Sequence, residues 1–307
     1  MNLRCVGFAM AATLCSITSA FASTQVDDAG RALSFEHPPQ RVMTLAPNLT
    51  EFVYAVGAGA ALVGTVDTSD YPLAARQVAR VGDYQRLDVE RILLLKPDVV
   101  LVWHHGNQGR ELGQLEAAGI KLFYLEPRRL GDIARTLERV GSLLGHRVQG
   151  DAEAARVRGE IDLLRRSHSG AAPVSVFFQV WSRPLMTLNG EHLTSDLLSV
   201  CGGRNVFAGL SALAPQVGVE SVVAANPEAI FVTDDEGSAS SWQRDPDRPS
   251  LATWRGFPHM AAVAHRWLFA VPGDLVTRQG PRAIEGARVL CGALDQVRTE
   301  RGPTGSR

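Results

Sequence analysis

The chain has almost no excess charge of either sign: 31 lysines and arginines stand against 32 aspartates and glutamates, a formal net charge of −1. Nothing in that balance steers it to nucleic acid, where affinity rests on neutralised phosphates. After residue 22 no stretch approaches the roughly 20 apolar residues of a spanning helix, so the mature chain is expected to be soluble. Catalytic motifs are missing as well. There is no Gly-x-x-x-x-Gly-Lys-Ser/Thr loop, and Gly57-Ala58-Gly59 is followed by Leu62 where a dinucleotide fingerprint needs its third glycine. No Gly-x-Ser-x-Gly elbow, His-Glu-x-x-His or paired Cys-x-x-Cys occurs. The expectation is a binder without a cofactor, not an enzyme.

What is present begins with a leader. Arg4, the apolar stretch Val6 to Leu14 and the small-x-small pattern Ala20-Phe21-Ala22 predict a signal peptide over residues 1–22 and a periplasmic protein. The apolar stretch is too short to anchor a membrane, and Leu14 stands where a lipoprotein needs a small residue before Cys15. Removing the leader takes away Arg4 and no acid, which moves the formal charge from −1 to −2. Of four cysteines only Cys201 and Cys291 remain. In an oxidising compartment they form either a disulfide closing a loop of about 90 residues, worth roughly 4 kcal/mol in the chain-entropy model, or two buried thiols.

Along the chain, strands and helices alternate. Arg41 to Leu45 reads as a strand, and Asn48 with Glu51 reads as a capping box for a helix from Leu49 to Val56. Leu62 to Val66 is a second strand; Asp88 caps a helix ended by Lys96-Pro97-Asp98, and the all-apolar Val99 to Trp103 suits a strand buried on both faces of a parallel sheet. A helix over 108–118 and a strand over Ile120 to Leu125 complete the β-α-β-α pattern of an open α/β domain.

The second half repeats the first. Glu90 to Val102 aligns without gaps on Glu220 to Val232: acid, apolar helix, proline, acid, strand. Thr50 to Val63 corresponds similarly to Thr194 to Phe207. This predicts lobes at 41–129 and 173–298, joined through residues 130–168, where Ile133, Leu137, Val140 and Leu144 recur at helical spacing up to Leu164. Gly145 and Gly150 make this connector one kinked helix or two. Asp234 to Ser250 reads as a surface loop and residues 299–307 as a disordered tail. His104 and His105 follow the buried strand at its carboxyl end, but no third ligand joins them to make a metal site.

Ser69-Asp70-Tyr71-Pro72, Glu90-Arg91-Ile92 with Leu95-Lys96-Pro97-Asp98, Trp103 with Gly106-Asn107, Cys201-Gly202-Gly203-x-Asn205-x-Phe207 and Pro215-Gln216-Val217 together resemble the vitamin B12-binding family of bacterial ABC importers. The likeness spans Arg41 to Val297 in consistent order. It implies the class III periplasmic binding protein architecture, α/β with two Rossmann-like lobes joined by one long helix, and cobalamin as transported ligand. By the same resemblance Tyr71 and Trp103 line the N-terminal wall of the cleft and Asp274 with Arg278 the C-terminal one, Cys201 pairs with Cys291, and Glu90 and Glu220 dock onto the membrane permease. The protein is then a monomer. A broad apolar corrin rimmed by amides suits flat aromatic walls with a few polar groups. On residues alone, Tyr71 and Trp103 read as core packing, Asp274 and Arg278 as a local i, i+4 pair, and each glutamate as a first-turn acid.

The chain departs from the family at three aromatic positions, which are Tyr84, Met186 and Ala214 here. Tyr84 and Met186 remain cleft candidates, and a less aromatic C-terminal wall leaves haem or a ferric siderophore as the alternative ligand. Haem would take an axial ligand from Tyr71, Tyr84, His104 or His105.

Overall fold

The structure, a computed structural model, describes residues 23–83, 86–107, 109–234 and 241–302. Residues 1–22, where the leader is expected, Tyr84 and residues 303–307 lie outside the described residues. Among the described residues no helix is long and apolar enough to cross a membrane.

A hairpin, β1 (Ser23–Val26) and β2 (Ala32–Phe35), precedes everything the sequence reading identified. Its four-residue strands are mostly exposed and show too little alternation to signal a strand. Then come β3 (Val42–Thr44), α1 (Pro47–Ala55), β4 (Leu62–Thr65), α2 (Val89–Leu94), β5 (Val99–Trp103), α3 (Arg110–Ala117) and β6 (Leu122–Leu125). The strands form a parallel sheet in the order β4-β3-β5-β6. Val99 to Val102 are fully buried, as their unbroken apolar run requires.

One local expectation fails. The first helix starts at Pro47, not at Leu49, with extended Ala46 as its N-cap and no side-chain cap. Proline has no N–H to satisfy and its fixed φ suits the first helical position, so the helix begins earlier. Asn48 and Glu51 are thereby freed from capping and used elsewhere. Asp88 does cap α2, accepting the Arg91 amide at 3.0 Å.

The connector is two helices, α4 (Leu130–Leu143) and α5 (Arg147–Ser167), folded back on one another. Gly145, at φ +76°, makes the turn. Gly150 does not interrupt a helix. It lies inside α5 against Gly141 of α4, where a Cβ on Gly150 would stand 2.7 Å from the Leu137 carbonyl oxygen. Backbone-to-backbone packing is possible only because both residues are glycine.

The second half comprises β7 (Val174–Gln179), β8 (Trp181–Ser182), β9 (Leu185–Met186), α6 (Leu193–Val200), β10 (Gly203–Asn205), α7 (Val219–Ala225), β11 (Ala229–Asp234), β12 (Gln243–Arg244), α8 (Ala261–Ala264), β13 (Leu268–Pro272), α9 (Gly273–Val276) and α10 (Ala283–Arg301). Its sheet runs β10-β7-β11-β13-β12, four parallel strands in the same relative order as the first sheet plus antiparallel β12, which falls within the stretch expected to be only loop. The repeat is thus real in three dimensions, and it explains its own motif. Lys96 and Asn226, at the matching position after each helix, both turn the chain with positive φ of 45° and 42°. Two residues on, Asp98 accepts the Gln40 and Arg41 amides at 2.8 Å, and Glu228 accepts the Ser175 amide at 2.8 Å. Each acid satisfies backbone donors entering the neighbouring strand.

Cys201, at the end of α6, is bonded to Cys291 of α10, so the pair is a disulfide and not two thiols. The tail is helical to Arg301, beyond the expected start of disorder at 299, because Glu300 accepts from the Trp267 indole at 2.8 Å and Arg301 pairs with Glu228 at 2.7 Å. One contiguous apolar cluster runs from Val42 and Leu101 through Leu137, Val157 and Ile161 to Phe231 and Leu290. Hinge motion would have to open that core, so the lobes are held at a nearly fixed angle.

Candidate ligand cleft between the lobes

In open parallel sheets the carboxyl ends of the strands carry the ligand site. Both lobes turn those ends toward one another here. In the N-terminal lobe, Thr44, Thr50, Thr65 and Ser69 form a buried hydroxyl cluster with O–O distances of 2.7 to 3.1 Å. Arg80 donates to the Ser69 carbonyl at 3.0 Å. This anchored turn presents Asp70 and Tyr71, the tyrosine 45 % exposed.

Trp103 ends β5. Its amide donates to Asn107 Oδ1 at 2.8 Å, and Asn107 Nδ2 donates to the Leu45 carbonyl at 2.9 Å. A Cβ on Gly106 would stand 1.8 Å from the Trp103 ring. The Gly106-Asn107 pair therefore seats the indole: glycine leaves it room and asparagine fixes its backbone.

The C-terminal lobe answers with the segment after β13. Trp103 Nε1 donates to Gln279 Oε1 at 3.1 Å, and Asn48 Nδ2 donates to the Gln279 carbonyl at 3.3 Å. Arg278 reaches Asp70 at 2.8 Å and Glu51 at 3.4 Å. Arg282 reaches Glu51 at 2.7 Å and Asp274 at 2.8 Å, and its guanidinium lies 4.0 Å over the Tyr71 ring. Asp274 and Arg278 thus have separate partners and do not serve as the local pair their spacing offered.

Electrostatics follow burial. Burial pushes the Glu51 carboxyl above the ordinary glutamate range, against the pull of Arg282 and Arg278. Asp70 is more open; burial opposes its charge, but the hydrogen bond and charge of Arg278, with its own backbone amide and Arg282, together outweigh it and hold the carboxyl below its usual value. Burial also works against the charge of Arg282, yet the bonds to Glu51 and Asp274 raise its pKa. Three buried atoms in this cluster, Glu51 Oε2, Gln279 Nε2 and Arg282 Nε, have no hydrogen-bond partner among the described residues.

Tyr71, Trp103, Asp274 and Arg278 are therefore brought together. Met186 is not part of that cluster; it lies on the β8–β9 hairpin, paired in register with Trp181. Glu90 and Glu220 are exposed in the first turns of α2 and α7, one on each lobe. His105 bonds to Glu126 and Arg128, and His104 packs edge-on to Tyr124. No group of three or more metal-ligating side chains occurs among the described residues. The sequence reading missed the roles of Glu51, Gln279 and Arg282, whose partners lie some 200 residues away.

The model of the family described as "Periplasmic binding protein" matches residues 42–275. The chain belongs to that family. It is 35 % identical over 266 residues to the vitamin B12-binding protein of Photorhabdus laumondii, covering 85 % of this chain and 92 % of that one. The crystal structure of the periplasmic vitamin B12 binding protein of Vibrio cholerae superposes with a TM-score of 0.75 at 30 % identity, over 85 % of this chain and 98 % of that one. A periplasmic haem-binding protein from Pseudomonas aeruginosa superposes at 0.71 with 25 % identity, covering 83 % and 92 %. The class III periplasmic binding protein architecture is common to these structures and to this chain.

Proposed function

We propose that this chain is the exported, periplasmic solute-binding component of an ABC importer, capturing vitamin B12 or a related corrinoid between its lobes and passing it to the membrane permease. The observation that carries this is the facing of two aromatic rings on one lobe, Tyr71 and Trp103, by the charged segment Asp274 to Arg282 of the other. Flat rings take the apolar faces of a corrin and the charged rim takes its amides. That the Photorhabdus and Vibrio relatives are vitamin B12-binding proteins supports the same reading.

The corrinoid is cargo, not a cofactor, and binding is the activity. Glu90 and Glu220, exposed at matching positions of the two lobes, are the docking points for arginines of the permease. The protein acts as a monomer, as one cleft per chain requires no second copy. Haem is the alternative ligand, favoured by Tyr71, an exposed phenol at the cleft able to serve as an axial ligand.

Cyanocobalamin added to the purified protein is expected to quench tryptophan fluorescence with one-to-one stoichiometry, and replacing Trp103 by phenylalanine is expected to reduce that quench. Absence of any quench with any cobamide would rule the reading out.

A further inference from the structure

Gln279 is a polar side chain only 1 % exposed, flanked in sequence by Arg278 and Arg282, which already have carboxylate partners. Its backbone is tightly seated. The Gln279 carbonyl accepts from Asn48 Nδ2 at 3.3 Å, the Gly280 amide donates to the Arg278 carbonyl at 2.9 Å, and a Cβ on Gly280 would stand 3.1 Å from Glu51 Oε2. From this fixed post the side chain crosses to the N-terminal lobe, where Oε1 accepts the Trp103 indole N–H at 3.1 Å. The amide has one workable orientation there, because an indole nitrogen donates and never accepts. Its other end, Nε2, is buried without a partner among the described residues, so the contact to Trp103 is what the side chain is arranged around.

Trp103 is thereby held at three points. Asn107 fixes its amide. A Cβ on Gly106 would stand 1.8 Å from Cε3 and 2.3 Å from both Cδ2 and Cζ3, distances that put the glycine over one face of the ring and not at its edge. Gln279 takes Nε1. With one face covered and the N–H occupied, the ring offers a ligand its opposite face as apolar surface with no unmet donor. Without the glutamine, the N–H loses its partner and the ring is free to turn about its side-chain torsions, so that the ordering cost falls on the ligand when it binds.

We infer that Gln279 is a positioning residue of the ligand site: it acts through Trp103, setting from the C-terminal lobe the plane of the ring on which a corrinoid stacks in the N-terminal lobe. This rests on the corrinoid reading and deepens it, since the pose of one wall depends on the seating of the opposite lobe.

The test titrates cyanocobalamin calorimetrically into wild type, Gln279→Glu, Trp103→Phe, and Gln279→Leu and Gln279→Met, each of the last two alone and combined with Trp103→Phe. Indole protons are followed by NMR in protein carrying isotope-labelled tryptophan. Trp103→Phe keeps an aromatic wall without the N–H, so nothing remains for the glutamine to hold. Gln279→Leu and Gln279→Met, which lack an oxygen acceptor, should weaken binding about three- to tenfold, as loss of one pre-ordered side chain implies. They should also shift the Trp103 indole proton and speed its exchange with solvent, while the other tryptophans keep their signals. Gln279→Glu retains an acceptor and should bind within a factor of about two of wild type. In the Trp103→Phe background neither Gln279→Leu nor Gln279→Met should weaken binding further. Binding by Gln279→Leu and Gln279→Met equal to that of wild type, or the same loss in both backgrounds, would overturn this inference and leave the corrinoid reading standing. No cyanocobalamin binding by wild type would overturn both.

Discussion

Glu51 of α1 and Arg282, just before α10, are separated by 231 residues and lie 2.7 Å apart, carboxylate to guanidinium, across the two lobes. Both are largely withdrawn from water, and Arg278 adds a second cation to the same carboxylate oxygen. Breaking one side of a buried pair costs about 3 to 5 kcal/mol because the survivor stays desolvated. Here the arginines retain Asp274 and Asp70, so Glu51→Ala is expected at the low end, about 3 kcal/mol, read as a lower urea midpoint in equilibrium unfolding.

His192 gives the chain an acid-sensitive point. It is buried at the start of α6, where its Nδ1 accepts the Thr194 amide at 3.1 Å, and burial lowers its pKa to about 4. The unfolded chain, with a histidine near 6.5, binds the extra proton between those values, so stability rises with pH there. It is complete above about pH 6.5 and lost as pH falls toward 4, by about 3 kcal/mol in all. His192→Asn keeps an acceptor at the cap without a titrating group and is expected to flatten that limb in stability measured from pH 7 to 4.

Much of this was readable from residue order. The strands β3 to β6, the Asp88 cap and the internal repeat follow from local pattern, because parallel strands buried on both faces are apolar throughout and helix ends have few solutions. Asn48 and Glu51 were misread for the same reason. A polar pair at capping spacing looks alike whether it serves its own helix or a distant lobe, and only tertiary contact with Gln279 and Arg282 decides. Gly150 posed a similar ambiguity, since a glycine that ends a helix and one that lets another helix touch it have the same sequence signature. Taken as residues alone, Trp103 and Tyr71 suit core packing; only the family resemblance pointed to the cleft, and the fold sets them against Gln279 and Arg282 of the other lobe.

The disulfide is expected to contribute through its long closed loop. Cys201→Ser with Cys291→Ser should lower stability by about 4 kcal/mol, a figure for a loop of 90 residues in the chain-entropy model. Chemical unfolding of the double variant beside oxidised wild type, both without reductant, checks it; ligand affinity at low temperature should be preserved.

The docking proposed for Glu90 and Glu220 is expected to be separable from capture. Glu90→Ala combined with Glu220→Ala is expected to leave ligand affinity within a factor of about two, exposed first-turn acids contributing only about 0.3 to 1 kcal/mol each to helix stability. Stimulation of the reconstituted importer's ATPase should fall sharply. Lost ligand binding would place these glutamates in the cleft instead.

Isothermal titration of the purified protein with cyanocobalamin and hemin side by side tests the central claim most directly. The account predicts tight one-to-one heat with cyanocobalamin, sharply weakened by Trp103→Ala, and no Soret shift with hemin. A Soret shift abolished by Tyr71→Phe, with no heat from any cobamide, would contradict it.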